Sequence, residues 1–196
     1  MSETRIQIVL FDGFDELDAI GPYEVFDTAA RLGAALTVEL VTLANTETVT
    51  ANHGLRVEPD RTLGKPDLLL IPGGGWNDDR GGVREQVARG ELPEVVAELH
   101  AAGTTVASVC TGSMILAHAG VLDGRPATTH AGAIDELDES FESVESRTER
   151  VVDDGSVLTC GGVTSGLDLS LQLVERIADE GTADRVATRI EYDRSD

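Results

Sequence analysis

Hydrophobic positions along the chain fall into short apolar runs, most of them followed by a longer segment with helical spacing. The runs predict strands at residues 6–11, 38–43, 67–71, 104–109, 127–129 and 157–159. The amphipathic segments predict helices at residues 21–32, 92–102, 112–119, 165–179 and 183–192. Residues 48–57 predict a hairpin, and residues 144–152 predict a further β segment. Apolar strands that alternate with helices are typical of a parallel sheet covered on both faces.

The chain length and composition suit one globular domain. The sequence has 196 residues, of which 41% are hydrophobic, and no linker or repeat divides it. We therefore predict a single α/β domain over residues 1–196, with a mostly parallel sheet between layers of helices. Pro22 is expected in the first turn of the first helix, where its missing N–H removes no hydrogen bond.

The charge balance is strongly acidic and limits the choice of partners. There are 36 acidic residues against 15 basic ones, which gives a formal net charge of −21, and Lys65 is the only lysine. Such a surface repels nucleic acid and anionic membranes, so we expect neither as a partner. A halophilic origin explains this composition better than an acidic patch for a basic partner, because molar salt screens like charges.

The chain start and the lengths of the apolar runs indicate a cytoplasmic protein. Residues 1–5 are polar and do not resemble a signal peptide. The longest apolar runs, such as residues 68–71, are far too short to span a bilayer. Two cysteines are too few for a disulfide framework, so Cys110 and Cys160 are both expected to be free thiols.

Cys110 stands between a predicted strand and a predicted helix, with no loop residue to spare. It must therefore occupy the tight turn itself, as in a nucleophile elbow, where a strained turn presents a side chain above a sheet. Gly112 allows helix and strand to approach closely, and the N–H groups at the helix start are expected to favour a thiolate. The alternative is that Cys110 is a small buried hydrophobic residue, as most free cysteines are. Cys160 is interpreted as a packing residue.

Several segments together resemble the ThiJ/PfpI superfamily, which shares the flavodoxin-like fold of class I glutamine amidotransferases. The segments are Phe11-Asp12-Gly13-Phe14-Asp15-Glu16-Leu17-Asp18 with Gly21-Pro22, Ile71-Pro72-Gly73-Gly74, Ser108-Val109-Cys110-Thr111-Gly112-Ser113, residues 119–130 and residues 161–166. Within that superfamily the sequence is most similar to isonitrile hydratases and to the amino-terminal domains of AraC-type regulators. Thr111 stands where protease-like members have histidine, which argues against peptidase activity. The regulators carry an added helix-turn-helix module, for which we expect this chain to have no room.

The resemblance implies roles for particular residues. Cys110 is the nucleophile and Asp18 its carboxylic partner, while the N–H groups of Gly74 and Thr111 form a donor pair near the thiol. His130 matches a histidine near the cysteine pocket and either supports the site or is structural. The residue after it, Ala131, stands where the family commonly has tryptophan.

The residues alone leave the choice of acid open. Asp18 can equally be a helix N-cap, and Asp12, Asp15 and Glu16 lie close by along the chain. The glycine run at residues 73–75 allows backbone donors to approach a ligand, yet it also suits an ordinary tight turn. Trp76 either walls the pocket, contributes to a dimer contact or packs in the core.

The function that the resemblance implies is the hydration of an isonitrile to an N-formamide through a Cys110 thioimidate. Asp18 should be neutral or hydrogen-bonded when Cys110 ionises, because a charged carboxylate would raise the thiol pKa. Two alternatives remain: glyoxalase or deglycase action on 2-oxoaldehydes, and a non-enzymatic redox sensor that works through oxidation of Cys110. No cofactor or metal is expected, since the sequence has neither a dinucleotide-binding glycine motif nor metal-ligand histidine spacing. The resemblance also implies a homodimer.

The acidic composition predicts that salt stabilises the fold. Raising NaCl from about 0.1 M to about 1 M shortens the Debye length from about 10 Å to about 3 Å, which weakens repulsion among the carboxylates. The Tm, followed by circular dichroism at constant pH, should rise by several degrees. A Tm that stays constant or falls over this range would contradict the halophilic interpretation.

Overall fold

The computed structural model describes residues 3–77 and 81–194, so the ends of the predicted 1–196 domain and residues 78–80 lie outside the described residues. Eleven strands occur in this part of the chain. In chain order they are β1 Thr4–Val9, β2 Leu36–Thr42, β3 Val49–Thr50, β4 Arg56–Val57, β5 Arg61–Thr62, β6 Leu68–Ile71, β7 Thr105–Val109, β8 Pro126–Ala127, β9 Glu145–Ser146, β10 Val151–Asp153 and β11 Val157–Cys160.

Seven of these strands form one sheet in the order β10-β11-β7-β6-β1-β2-β5. All neighbours are parallel except β10 and β11, which are antiparallel. The five main strands, taken in chain order as β1, β2, β6, β7 and β11, therefore follow the flavodoxin-like order 2-1-3-4-5. The order reverses between β1 and β6, and ligand sites in such folds lie beyond the carboxyl ends of the strands at this reversal.

Seven α-helices flank the sheet in the described residues. They are α1 Glu16–Arg31, α2 Val83–Arg89, α3 Glu91–Ala101, α4 Gly112–His118, α5 Ile134–Ser140, α6 Ser165–Ile177 and α7 Glu180–Arg189. Helices α1, α6 and α7 pack against one another, and α2, α3 and α4 form a second packed group. The apolar pattern explains this layering, because β6 and β11 are buried along their whole length and need cover on both faces. The predicted fold class is confirmed.

Helix α1 begins five residues earlier than the sequence pattern predicts. Asp15 caps it by accepting a hydrogen bond from the Leu17 N–H, so the chain enters the helix at Glu16. Pro22 consequently lies inside the helix and not in its first turn. Having no N–H, it leaves the carbonyl of Asp18 without the usual helical donor.

Two short α-helices and one short strand escaped the sequence analysis. Helix α5 has the sequence Ile-Asp-Glu-Leu-Asp-Glu-Ser, in which Leu137 alone is buried, so its apolar periodicity is too weak to detect. Helix α2 and strand β5 are also short, with seven and two residues. The hairpin predicted at residues 48–57 is confirmed as the antiparallel pair of β3 and β4.

Within the described part of the chain, none of the helices combines the length and apolar character needed to cross a bilayer.

The junction between β7 and α4 predicts a strict requirement for glycine at position 112. A Cβ at Gly112 would lie 2.4 Å from the carbonyl oxygen of Ile71, a backbone atom that cannot move aside cheaply. Gly112→Ala should therefore lower the free energy of unfolding by about 1–3 kcal/mol, the usual cost of overpacking. Urea denaturation followed by circular dichroism measures this change.

Gly181→Ala is the matched control, since Gly181 is exposed within α7. Alanine should be neutral there or stabilise the helix by about 0.5–1 kcal/mol. Equal effects of the two substitutions would show that the contact with Ile71 does not restrict residue 112.

Candidate active site

Cys110 occupies a strained turn at the carboxyl end of β7. Its φ angle is +57°, in the left-handed region that costs a non-glycine residue about 1–2 kcal/mol. Its N–H donates to the carbonyl oxygens of Cys160 at 3.1 Å and Gly161 at 3.0 Å, which ties the turn to the end of β11. The predicted placement of Cys110 in the turn between strand and helix is confirmed.

Two hydroxyl groups hold the carbonyl of Cys110. The Thr129 hydroxyl donates to this oxygen at 3.0 Å, and Ser113 Oγ lies 3.3 Å from it. Ser113 Oγ also lies 2.8 Å from the carbonyl oxygen of Thr128 and 2.9 Å from Ser108 Oγ. A strained backbone conformation persists where several surrounding contacts hold it in place, and these hydrogen bonds do so for Cys110.

Asp18 lies in the first turn of α1 and is completely buried. Its Oδ2 accepts a hydrogen bond from the Gly73 N–H at 2.9 Å. Its Oδ1 is sealed from solvent and has no partner of regular hydrogen-bond geometry in the described residues. The Cys110 thiol is nevertheless close enough to interact with this carboxyl. The structure thus brings Asp18 and Cys110 together from α1 and β7.

Burial controls the protonation of Asp18. Loss of solvation raises its pKa from 3.8 to about 8, and the nearby charge of Asp15 adds to the rise. Hydrogen bonding from Gly73 and Cys110 lowers the pKa but does not offset burial. At neutral pH Asp18 is therefore a carboxylic acid, but it loses its proton at a lower pH than the Cys110 thiol does, so it is charged and not neutral when the thiol ionises.

The thiol of Cys110 is not the activated thiolate expected from the helix N-terminus. Its pKa is raised from 9.0 to about 12. Burial is the largest cause of this rise, and the charge of Asp18 is the second. Backbone N–H groups of Thr111 and Val163 do lower this pKa, as predicted for Thr111, but they are outweighed. The expectation was wrong because the sequence does not reveal that Cys110 as a residue is only 6% exposed.

The predicted donor pair of Gly74 and Thr111 is arranged differently in the structure. The Gly74 N–H donates to the Thr111 hydroxyl at 3.0 Å, so it already has an acceptor within the protein. The Thr111 N–H interacts with Cys110, together with the Val163 N–H, for which the sequence offered no signal. Gly73 is also essential to this packing, because a Cβ there would lie 2.6 Å from the Thr111 nitrogen and 2.8 Å from Asp18 Oδ2.

His130 stands beside the site with its ring against the backbone of Gly162. A Cβ on Gly162 would lie 2.9 Å from His130 Cδ2. Its Nδ1 accepts a hydrogen bond from the Gly132 N–H at 3.0 Å, which caps a short 3-10 helix at Ala131–Ala133. These contacts give His130 a structural role next to the Cys110 region.

The other acids of the first loop have structural partners that separate them from Asp18. Asp12 Oδ1 accepts from the Thr50 N–H at 2.8 Å, and Asp15 caps α1. Glu16 Oε1 accepts from the His53 N–H at 2.8 Å, and its Oε2 lies 2.7 Å from His53 Nδ1. The first loop and the hairpin are thereby fastened together, and Asp18 is the one of the four that reaches the thiol.

Asp15, Glu16 and His53 also form a group that could hold a metal ion, with ligand atoms within 4.8 Å of one another. The sequence could not reveal it, because His53 is brought to the other two by the hairpin. Asp15 and Glu16 already accept hydrogen bonds within the protein. We assign the group a structural role.

Trp76 is a buried packing residue beyond the glycine turn. Its Nε1–H donates to Glu136 Oε2 at 2.7 Å, which joins this turn to α5. The guanidinium of Arg84 lies 4.4 Å above the ring and donates to the Trp76 carbonyl at 2.7 Å. The side chain thus supports the loop that carries Gly73 and Gly74.

Comparisons with known proteins show the family and the fold of this chain. The model of the DJ-1/PfpI family matches residues 4–176. An isonitrile hydratase of Pseudomonas putida is 32% identical over 192 residues, 96% of this chain and 78% of that protein. The helix-turn-helix regulator CdhR of Pseudomonas aeruginosa is 33% identical over 85% of this chain. The match spans only about half of the regulator, 48% of its length. The crystal structure of a ThiJ/PfpI family protein from Pseudomonas syringae matches with a TM-score of 0.84 at 28% identity. The match covers 100% of this chain and 78% of the Pseudomonas syringae chain.

The coupling between Asp18 and Cys110 predicts how the thiol reacts at alkaline pH. Above pH 8 Asp18 is charged and holds the pKa of the thiol high, whereas Asp18→Asn removes that charge. At pH 9, alkylation of Cys110 by iodoacetamide should be faster in Asp18→Asn, by about tenfold for each unit of thiol pKa recovered. Mass spectrometry of the alkylated peptide gives the rate.

Cys160 serves as an internal control, because it is completely buried and should remain unmodified in both proteins. At pH 6, where Asp18 is largely protonated, the two alkylation rates should converge. Equal rates at pH 9 would mean that the carboxyl does not influence the thiol.

Proposed function

The chain belongs to the DJ-1/PfpI family, and on that premise we propose that it is a cysteine-dependent enzyme that adds water to isonitriles. The product is the N-substituted formamide. The observation that carries this proposal is a buried carboxylic acid, neutral at pH 7, that interacts with the Cys110 thiol. The 32% identity to an isonitrile hydratase over 96% of the chain supports the choice of substrate class.

The electrostatics of the site favour an uncharged substrate. Below pH 8 both the Asp18 carboxyl and the Cys110 thiol are neutral, because burial penalises their charged forms. A charged substrate would pay the same desolvation penalty on entering. An isonitrile is uncharged and apolar, and its terminal carbon accepts a nucleophile.

In the first step, the elements of the thiol add to that terminal carbon. The Cys110 sulfur bonds to the carbon, Asp18 gives its Oδ1 proton to the same carbon, and the thiol proton passes to the carboxylate. Asp18 is then a carboxylic acid again, and the intermediate is a thioimidate. The Oδ1 oxygen suits this transfer because Oδ2 is occupied by the Gly73 N–H.

In the second step, water attacks the carbon of the thioimidate. Asp18 donates its proton to the nitrogen and takes one from the water, which leaves a tetrahedral adduct with a hydroxyl group on the carbon. The carbon–sulfur bond then breaks, and Asp18 relays the hydroxyl proton to the departing sulfur. The N-formamide is released, and both Cys110 and Asp18 return to their starting protonation states.

The experiment is hydration of an aryl isonitrile in high salt, with the formamide detected by liquid chromatography. Cys110→Ala should abolish turnover, because no nucleophile remains. Asp18→Asn should lower kcat by about 10²-fold to 10⁴-fold, the usual contribution of a general acid and base. Cys160→Ala is the matched control, a buried cysteine that takes no part in the chemistry, and it should retain turnover.

Full turnover in Cys110→Ala would refute the covalent route. Lactate formation from methylglyoxal, without formamide from any isonitrile, would assign the site to 2-oxoaldehydes instead. Peroxide oxidation of Cys110, without turnover of either substrate, would make the protein a sensor.

A further inference from the structure

A cavity of about 270 Å³ opens beyond the carboxyl end of β11, and the catalytic proposal above does not use it. Its wall includes Thr128 and Thr129 after β8, Ala131 before α5, Ile134 at the start of α5, and Ser165 at the start of α6. It is larger than the cavities of about 150 Å³ that are known to hold benzene. It therefore has room for an aromatic ring with a substituent.

Two buried hydroxyl groups on this wall have no hydrogen-bond partner in the described residues. Thr128 is 2% exposed and Ser165 is 3% exposed, yet neither hydroxyl oxygen is sealed from solvent. Both residues line the cavity, and each keeps a small accessible area. Buried polar groups normally have partners, so a pair without them marks a place where a ligand can supply the hydrogen bond.

The cavity adjoins the Cys110 turn. Thr129 lines the cavity, and its hydroxyl holds the carbonyl of Cys110 at 3.0 Å. Gly161 and Gly162 also line it, and the next residue, Val163, directs its N–H to the Cys110 sulfur. The cavity therefore lies directly beside residues that contact the carbonyl and the sulfur of Cys110.

The charges around the cavity do not favour an anionic ligand. Arg147 and Arg150 stand on its rim, but Arg147 pairs with Glu145 at 2.5 Å and Arg150 pairs with Asp168 at 2.5 Å. Glu149 on the same rim adds another negative charge. The arginines are thus neutralised, and the cavity suits an uncharged group.

We propose that this cavity binds the ring of an aromatic substrate and that Thr128 and Ser165 select a ring bearing a hydroxyl group. The inference rests on the proposed function, because it assigns the far end of the molecule whose reactive carbon meets Cys110. Ala131 and Ile134 provide the apolar wall for the ring. Ala131 is a small residue on this wall, so we expect a tryptophan substituted there to reduce the space for a ring.

The test compares kcat/KM for three isonitriles: 4-hydroxyphenyl, phenyl and methyl isonitrile. The wild-type protein should prefer the hydroxyphenyl compound over the phenyl compound. Thr128→Val and Ser165→Ala should each lower this preference by about threefold to tenfold, the worth of one hydrogen bond. Neither change removes a hydrogen bond from the free protein, so both variants should keep the wild-type Tm.

Ser170→Ala is the matched control, a buried serine in the same helix whose hydroxyl donates to the Gly166 carbonyl. It should leave the preference unchanged. Ala131→Trp should lower kcat/KM for both aryl isonitriles relative to methyl isonitrile by about tenfold or more, because the ring is excluded. Unchanged ratios in Thr128→Val, Ser165→Ala and Ala131→Trp would overturn the assignment while leaving isonitrile hydration intact.

Direct binding separates failure of this inference from failure of the proposed function. If no isonitrile is turned over, phenol titrated into the protein and followed by NMR still tests the cavity. Binding by the wild type that is lost in Ala131→Trp supports the cavity assignment, and absence of binding by the wild type overturns it.

Discussion

The hydrogen bond from the Gly73 N–H to Asp18 Oδ2 joins the loop after β6 to the first turn of α1 in the interior of the protein. The next N–H, from Gly74, joins the same loop to the hydroxyl of Thr111 in the turn after β7. Three strand ends are therefore fastened at one point, and no side chain fits between them, since a Cβ on Gly73 would meet both Thr111 and Asp18. The positions of the acid and the thiol depend on this close approach. It also explains why the chemistry lies at the reversal of strand order, where the loops after β1 and β6 diverge to opposite sides.

Much of the fold follows from the sequence, for reasons that particular elements make clear. Strand β6 is a run of four apolar residues, which is the pattern that a strand buried on both faces requires. The turn at Cys110 was predictable because the predicted strand and helix leave no spare residue between them. The tight turn forces Cys110 into a left-handed conformation, with a φ angle of +57°. Asp18, by contrast, came from the family resemblance. Its own neighbours along the chain gave no reason to prefer it over Asp12, Asp15 or Glu16.

The remaining features depend on contacts between distant segments. The thiol pKa of Cys110 rises and does not fall, because burial and the charge of Asp18 outweigh the backbone donors. The start of α1 was misplaced, since the capping role of Asp15 depends on its own side chain and not on apolar periodicity. The Gly74 N–H has an acceptor in Thr111 that lies 37 positions along the chain. The homodimer and the halophilic origin stay predictions, because both concern surroundings beyond a single chain.

The buried acid also has a consequence for the protein as a whole. A carboxyl whose pKa rises from 3.8 to about 8 on folding binds its proton more tightly in the native chain than in the unfolded one. Its contribution to stability is complete below about pH 4 and is lost as the pH climbs through 8. Global unfolding between these limits must therefore expel a proton from this single residue. The same carboxyl that readies the site for chemistry thus makes the folded state progressively less stable as the pH rises between these two values.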